Sequence, residues 1–201
     1  APGTSVETET VSTALFRDWA LRTVAIKPYP ICHFNHAPVD SALALRAENA
    51  LTPDSIESVT ILLDERQFGV VVNPIDAKRV PQSEYDAKFS VPYAVATALC
   101  KGRFSLADLE DAARLDAEVL TLAQRIECVH DERSRYPEAF SGGVKVSLRD
   151  GSELEHFEAV NRGAEGQLLS HDQVRDKFLD NCALTISAEA AERLWQTMMT
   201  L

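Results

Sequence analysis

The chain has 201 residues, 45% of them hydrophobic, enough to supply the core of one or two domains. Acidic side chains outnumber basic ones 31 to 20, for a formal net charge of −11. That balance argues against sequence-independent nucleic-acid binding and against an anionic membrane surface, both of which need a basic face. A local cluster of lysine and histidine can still hold a small anion inside an acidic protein. No apolar run reaches membrane-spanning length and no signal-peptide pattern is present. Cys32, Cys100, Cys128 and Cys182 are widely spaced and form no Cys-x-x-Cys pair, so neither a zinc site nor a redox pair is expected. Four unpatterned thiols fit a reducing, cytoplasmic setting, with Cys100 and Cys128 as small core side chains. The start, Ala1-Pro2-Gly3-Thr4, lacks a methionine and is expected of a processed chain or a piece of a longer one.

Residues 1–13 are polar, Thr-rich and acidic and are expected to form a mobile tail or linker. Residues 14–26 read as a short helix running into a strand. The stretch Lys27-Pro28-Tyr29-Pro30-Ile31-Cys32-His33-Phe34-Asn35-His36-Ala37-Pro38-Val39-Asp40 then gathers a lysine, a thiol, two imidazoles and a carboxylate. Pro28 and Pro30 stiffen its first part into an extended strip, because proline fixes its own φ and biases the residue before it. From Ala37 the spacing of Val39, Leu43 and Leu45 predicts a helix over 37–50. Cys32, His33 and His36 therefore fall at an extended-to-helix junction, where free backbone N–H groups favour an anion. Lysine and imidazoles beside such a junction suggest a carboxylate site. His36 and Asp40 are one helical turn apart, so Asp40 can orient the imidazole or cap the helix.

Thr52-Pro53-Asp54 signals a new start, and Ser58-Val59-Thr60-Ile61-Leu62-Leu63 predicts a strand. Residues 68–72 are expected to continue the sheet or run irregularly, and the Asn73-Pro74 to Val80-Pro81 region to form a loop. A helix is predicted over 84–101, stopped by Gly102, followed by helices capped by Ser105 (to about Arg114) and Asp116 (to about Arg125). Residues 126–130 read as a short strand. Val144, Val146 and Leu148 alternate with Lys145, Ser147 and Arg149, the period of a half-buried strand, and Asp150-Gly151 turns it back into a partner over 152–160. Ser170 and Gln173 fit a capping box opening one helix, with Leu169 and Val174 as a hydrophobic staple, and Ser187 caps the last, on which Ala190, Leu194 and Met198 form an apolar stripe.

The strip Lys-Pro-Tyr-Pro-x-Cys-x-x-x-His-x-x-x-Asp is joined by a second block, Asp86-Ala87-Lys88-Phe89-Ser90-Val91-Pro92-Tyr93-Ala94-Val95-Ala96-Thr97-Ala98-Leu99, followed by Lys101-Gly102. Together they resemble the MmgE/PrpD family, which includes 2-methylcitrate dehydratase, cis-aconitate decarboxylase and iminodisuccinate epimerase. The strand turn at Arg149-Asp150-Gly151, the Gly163-Ala164-Glu165-Gly166 loop and the segment from Ser170 to Lys177-Phe178 fit the same resemblance, which covers roughly residues 15–200 in the family's order. It matches only the C-terminal part of a member; the large N-terminal helical domain, with several catalytic Asp, Thr, His and Lys residues, has no counterpart here.

The resemblance implies an α+β fold: a lid-type domain with a small mixed or antiparallel sheet and packed helices, then C-terminal helices that would join a helical domain. Residues 1–26 would form a tail and connection, 27–165 the lid, and 166–201 the returning helices, with Trp195, Met198, Met199 and Leu201 on the apolar surface left for the partner domain. It implies a lyase or isomerase acting on a di- or tricarboxylate by breaking a C–H bond beside a carboxylate and stabilising the enolate-like anion, with no cofactor and no metal. Positioned cations and hydrogen-bond donors can do this electrostatically, and histidine is the usual base. Lys27, His36 and Cys32 are the catalytic candidates, Lys27, His33, Lys88 and Tyr93 the substrate-binding ones, and Asp40 the orienting residue. Where some members carry a histidine at position 32, this chain has Cys32 followed by His33, a departure from the dehydratase and decarboxylase pattern that fits a bacterial branch in which Tyr-Pro-x-Cys is common. Phe68 stands where some relatives place a tyrosine. Tyr93 can instead be a core aromatic, and His130, His156 and His171 read as strand, surface and first-turn residues. The expected partners are a small carboxylate, the N-terminal helical half in the same chain or a separate subunit, and a second copy in a homodimer; nucleic acid and membrane are not expected. The 201-residue chain alone is expected to be inactive. The competing reading is a non-catalytic carboxylate-binding or interaction module that keeps the fold.

Overall fold

The computed structural model describes residue 19 and residues 24–200; the tail expected over 1–13, the body of the helix expected from Ala14, and Leu201 lie outside the described residues. Among the described residues the strand expected to follow that helix is not seen: residues 24–27 are irregular and are tied down by Ile26 N–H donating to the Gly163 carbonyl at 3.0 Å. A 3-10 turn over His33–Asn35 leads into α1 (His36–Asn49), which ends with Ala50 in the left-handed region at φ 50°. β1 (Ile56–Leu63) follows. The chain then passes through α2 (Phe68–Val71), α3 (Ile75–Arg79), α4 (Glu84–Lys88), α5 (Val91–Lys101), α6 (Asp111–Arg114) and α7 (Ala117–Ala123). It returns as β2 (Ile126–His130), β3 (Gly142–Leu148) and β4 (Glu153–Glu158), and closes with α8 (His171–Cys182) and α9 (Ala188–Met198).

The strands make one four-stranded sheet in the order β2-β1-β3-β4. β2 runs parallel to β1, a pairing that needs the long helical crossover between them, and the other pairs are antiparallel. The fold is therefore α+β with a mixed sheet. Val59 lies opposite Ile126 and Val146, and Ile61 opposite Cys128 and Val144, so one face is aliphatic. α1 packs over β3 and β4 on this face, and α5 lies against α1 and α7. α1 approaches β3 so closely that a Cβ on Gly142 would stand 2.8 Å from the Pro38 ring. The other face is polar in the row Glu127, Thr60, Lys145, Glu155. Cys100 is buried and Cys128 packs against the core, and burial pushes both thiols up to about 12.

Several boundaries differ from expectation. Residues 68–71 are helical because Asp64 accepts from Arg66 N–H at 2.9 Å, which starts a 3-10 turn that runs straight into Phe68 and overrides the β preference of the valines. The loop expected after Asn73 holds α3, entered from Pro74. The helix expected over 84–101 is two helices. Ser90 is extended and its Oγ accepts from Tyr93 N–H at 3.1 Å, while Pro92 occupies the first turn of α5, where its missing N–H costs nothing. Gly102 ends α5 at φ 69°. Ser105 and Asp108 form a capping box on a 3-10 turn, and Glu110 breaks it from α6. On α9 the buried residues are Ala191 and Trp195, with Leu194 and Met198 exposed. Trp195, expected on the exposed surface, is instead covered by Phe178 and His171 of α8, at ring distances of 5.4 and 5.3 Å.

Candidate functional site

The proline strip turns Tyr29 and Ile31 inward, both buried, and leaves Lys27 exposed with Nζ donating to the Ile31 carbonyl at 3.2 Å. The next turn is held from the second motif. Cys32 N–H donates to the Lys88 carbonyl at 2.8 Å, and Asn35 Nδ2 to the same oxygen at 3.3 Å. The two sequence motifs therefore meet at one backbone carbonyl. Beside that junction lies an opening of about 560 Å³, lined by Lys27, Ile31, Cys32, His33, Lys88 and Phe89. Lys88 Nζ pairs with Glu84 at 2.5 Å on α4. Burial pushes the Cys32 thiol up, opposed by the Phe34 backbone and by Lys27. The junction leaves fewer free N–H groups than expected, because Asn35 N–H is taken by the Cys32 carbonyl and His36 N–H by that of His33.

His33 stacks on Phe140 at 4.7 Å and lies 4.9 Å from the His36 ring. Asn161 Nδ2 donates to His33 Nε2 at 2.8 Å. Burial and the Lys27 charge lower the His33 pKa. His36 is fully buried; its Nε2–H donates to the Ile31 carbonyl at 3.3 Å and its Nδ1 has no partner. Burial first, then His33, pulls its pKa down to about 3. An unfolded histidine takes a proton near pH 6.5, so the stability of the neutral buried ring is complete above that value. It is lost as pH falls toward 3, at about 1.4 kcal/mol per unit. Denaturant unfolding at pH 6.5 and 5 is therefore expected to show about 2 kcal/mol lost in the native chain and spared in His36→Gln. Parallel slopes would mean that the ring titrates normally.

Asp40 does not orient His36. Tyr29 Oη donates to Asp40 Oδ1 at 2.6 Å, Arg162 Nε donates to the same oxygen at 3.1 Å, and Arg162 N–H to Oδ2 at 3.2 Å. The guanidinium also donates to Tyr29 Oη. Asp40 is one turn beyond His36 on α1, but the His36 ring is turned to the Ile31 carbonyl and the carboxylate reaches the strip and the 161–167 loop instead. Burial raises the Asp40 carboxyl and the Tyr29 hydroxyl, with Arg162 opposing both.

Tyr93 is fully buried, its hydroxyl donating to the Asp108 carbonyl at 2.5 Å, so it is a core aromatic. Burial pushes its hydroxyl up to about 12. Phe68 packs half-buried against the core. His130 Nδ1 accepts from Glu65 N–H, His156 pairs with Glu158 at 3.0 Å, and His171 packs on Trp195. Sequence reasoning did not find Phe140, Asn161, Arg162 or the buried role of Tyr29; the glycines of the 163–166 loop were the available signal. Among the described residues no group of three or more His, Cys, Asp or Glu is placed to hold a metal ion, and no helix is long and apolar enough to cross a membrane.

The chain is thus an α+β unit with a mixed sheet in which two lysines, a thiol and an imidazole line one opening. The model of the MmgE/PrpD C-terminal domain matches residues 29–201, and the chain belongs to this family. It is 25% identical over 187 residues to cis-aconitate decarboxylase of Mus musculus, covering 88% of this chain and 36% of that protein. It is 23% identical over 195 residues to the 2-methylcitrate dehydratase-like protein oryR of Aspergillus oryzae, covering 91% and 39%. It is 28% identical over 116 residues to the mitochondrial 2-methylcitrate dehydratase of Yarrowia lipolytica, covering 53% and 21%. The chain thus spans less than two fifths of the length of these relatives.

Proposed function

We propose that this chain forms the lid side of a cofactor-independent lyase or isomerase site for a di- or tricarboxylate. The observation that carries the reading is the convergence of both motifs on one opening, with Lys27, Cys32 and His33 from the first and Lys88 from the second. Lys27 places positive charge there in a chain of net charge −11, Lys88 lines the opening with its ammonium paired to Glu84, and His33 adds a ring nitrogen. Such groups hold substrate carboxylates and stabilise the negative charge that develops when a neighbouring C–H or C–C bond breaks. His36 is buried away from the opening and, at a pKa of about 3, is too weak a base for proton abstraction near neutrality. The base then comes from the part of the enzyme that these residues do not include, and a homodimer is the assembly proposed for the whole. The relatives' names, a decarboxylase and two dehydratase-type proteins, support the reaction class. In this reading residues 27–165 act as the lid, and 166–201 rejoin a helical half through apolar side chains left exposed at Leu184, Ile186, Leu194, Met198 and Met199.

Citrate serves as the probe. An NMR-monitored titration of the chain with citrate is expected to shift signals at Lys27, Cys32 and His33, and Lys27→Ala to weaken binding about tenfold, the loss of roughly 1.4 kcal/mol from one partly solvated charge-assisted contact. Citrate that shifts none of these residues would overturn the reading. Citrate bound at these residues, with no turnover once a helical half is supplied, would leave the non-catalytic binding module in its place.

A further inference from the structure

The hydrogen-bond partners of the two imidazoles at this turn call for protons on opposite nitrogens. The Ile31 carbonyl can only accept, so His36 holds its hydrogen on Nε2 and its Nδ1 is bare. His33 Nε2 faces Asn161 Nδ2 at 2.8 Å. That amide cannot be turned over, because the same Nδ2 donates to the Arg162 carbonyl at 3.1 Å, where an amide oxygen would face another acceptor. Nδ2 therefore donates in both contacts, His33 Nε2 accepts, and the neutral His33 ring carries its hydrogen on Nδ1. Imidazole in water favours the opposite form, so the neighbour sets the tautomer.

We propose that Asn161 is a positioning residue that holds His33 in its Nδ1–H form, so that this ring meets a substrate carboxylate or developing enolate as a hydrogen-bond donor and not as a base. The purpose of the donor rests on the carboxylate reading above; the tautomer does not.

The side chain is suited to the task. Asn161 is fully buried, and the two residues that follow it are held in place. Arg162 is bound to Asp40, and the Gly163 carbonyl accepts from Ile26 N–H. His33 faces His36 on α1 and Phe140 before β3. Lys27 shares its opening on one side, and Arg135, Glu138 and Glu165 line the cavity of about 550 Å³ on the other. Burial and Lys27 keep the ring neutral, the state in which a tautomer is defined.

Imidazole nitrogen NMR shifts of the 201-residue chain, recorded near pH 8, test the inference directly, because protonated and bare ring nitrogens are well separated. The native chain is expected to show His33 protonated on Nδ1. Asn161→Asp, of the same shape, offers Nε2 an acceptor and is expected to move the proton to Nε2, and Asn161→Ala to move it the same way, with β3 amide shifts reporting an intact sheet. A native His33 protonated on Nε2, or an Nδ1–H form that persists in both variants, would overturn the assignment. The native measurement decides even if a variant does not fold. In the citrate titration the His33 Nδ1 signal should move in the native chain and lose most of its response in Asn161→Asp. A tautomer that follows residue 161 while citrate leaves Lys27 and His33 unmoved would keep the lock and sink the carboxylate reading it serves.

Discussion

Gly163→Ala is expected to destabilise the chain by about 2–4 kcal/mol and to loosen the loop that carries Asn161 and Arg162. Gly163 has φ +87°, where an alanine costs roughly 1–2 kcal/mol. Its Cβ would also stand 2.0 Å from the Ile26 carbonyl oxygen. That neighbour is backbone and cannot swing aside as a side-chain tip would. Ile26 N–H donates to the Gly163 carbonyl, so pushing the two segments apart breaks the contact that seats the proline strip. Gly151, at the β3–β4 turn, is the matched control, since it has the same φ of +87° and nothing within 4 Å of its Cβ position. Urea unfolding of both alanine variants separates the two costs. Gly151→Ala should lose only the conformational part, about 1–2 kcal/mol, and Gly163→Ala clearly more. Equal losses would mean that the strip yields to the new methyl group without cost.

That contact is one the sequence could not announce. The period-two alternation over 144–148 and the turn at Asp150-Gly151 sufficed for the β3–β4 hairpin, because a half-buried strand writes its register into every second residue. The caps at Ser170 and Ser187 marked α8 and α9 for a similarly local reason. Where the reading missed, a short-range signal outweighed composition. The valines at 70–72 look like strand, yet Asp64 caps a turn that is already helical when it reaches them. The apolar run of 84–101 looks like one helix, yet Ser90 and Pro92 restart it. Trp195 looks like surface left for another domain, but an αα-hairpin can cover one large ring by itself.

The site was legible only along the chain. Lys27, Cys32, His33 and His36 are close in sequence, so any turn at Cys32 brings them near one another. Lys88 was found through its motif, but it is its carbonyl, and not its amino group, that joins the two segments. Asn161 and Arg162 reach His33 and Asp40 across more than a hundred residues, and neither residue type distinguishes such a partner from a solvated loop side chain. The α1 geometry permits an Asp40–His36 pair, and tertiary structure decides against it, because Tyr29 and Arg162 offer the buried carboxylate better donors than a ring already engaged by Ile31.

Arg162→Met is expected to cost about 2–4 kcal/mol near pH 7.5 and distinctly less near pH 4. The Asp40 side chain is 9% exposed and cannot recover water if its cation is removed, whereas Arg162, 36% exposed, can turn outward if its carboxylate is removed. Losing the guanidinium leaves Asp40 with the Tyr29 hydroxyl and one backbone N–H. Burial already raises the Asp40 carboxyl above its ordinary value and Arg162 opposes that rise, so the variant raises it further. A carboxyl whose folded pKa exceeds its unfolded value, about 3.9, contributes stability fully below that value and loses it as pH climbs through the folded one. The gap between variant and native chain should therefore widen from pH 4 to neutrality. Asp40→Asn, which buries no charge, should cost less, about 1–2 kcal/mol, and show little of this slope. A penalty for Arg162→Met that stays flat with pH would assign the guanidinium a packing role over the Tyr29 ring, 5.4 Å from its centroid, in place of charge compensation. The two outcomes bear differently on the site, because a loop held by charge would release Asn161, and with it the His33 tautomer, when Asp40 is left unpaired, whereas a loop held by packing would keep both in place at every pH.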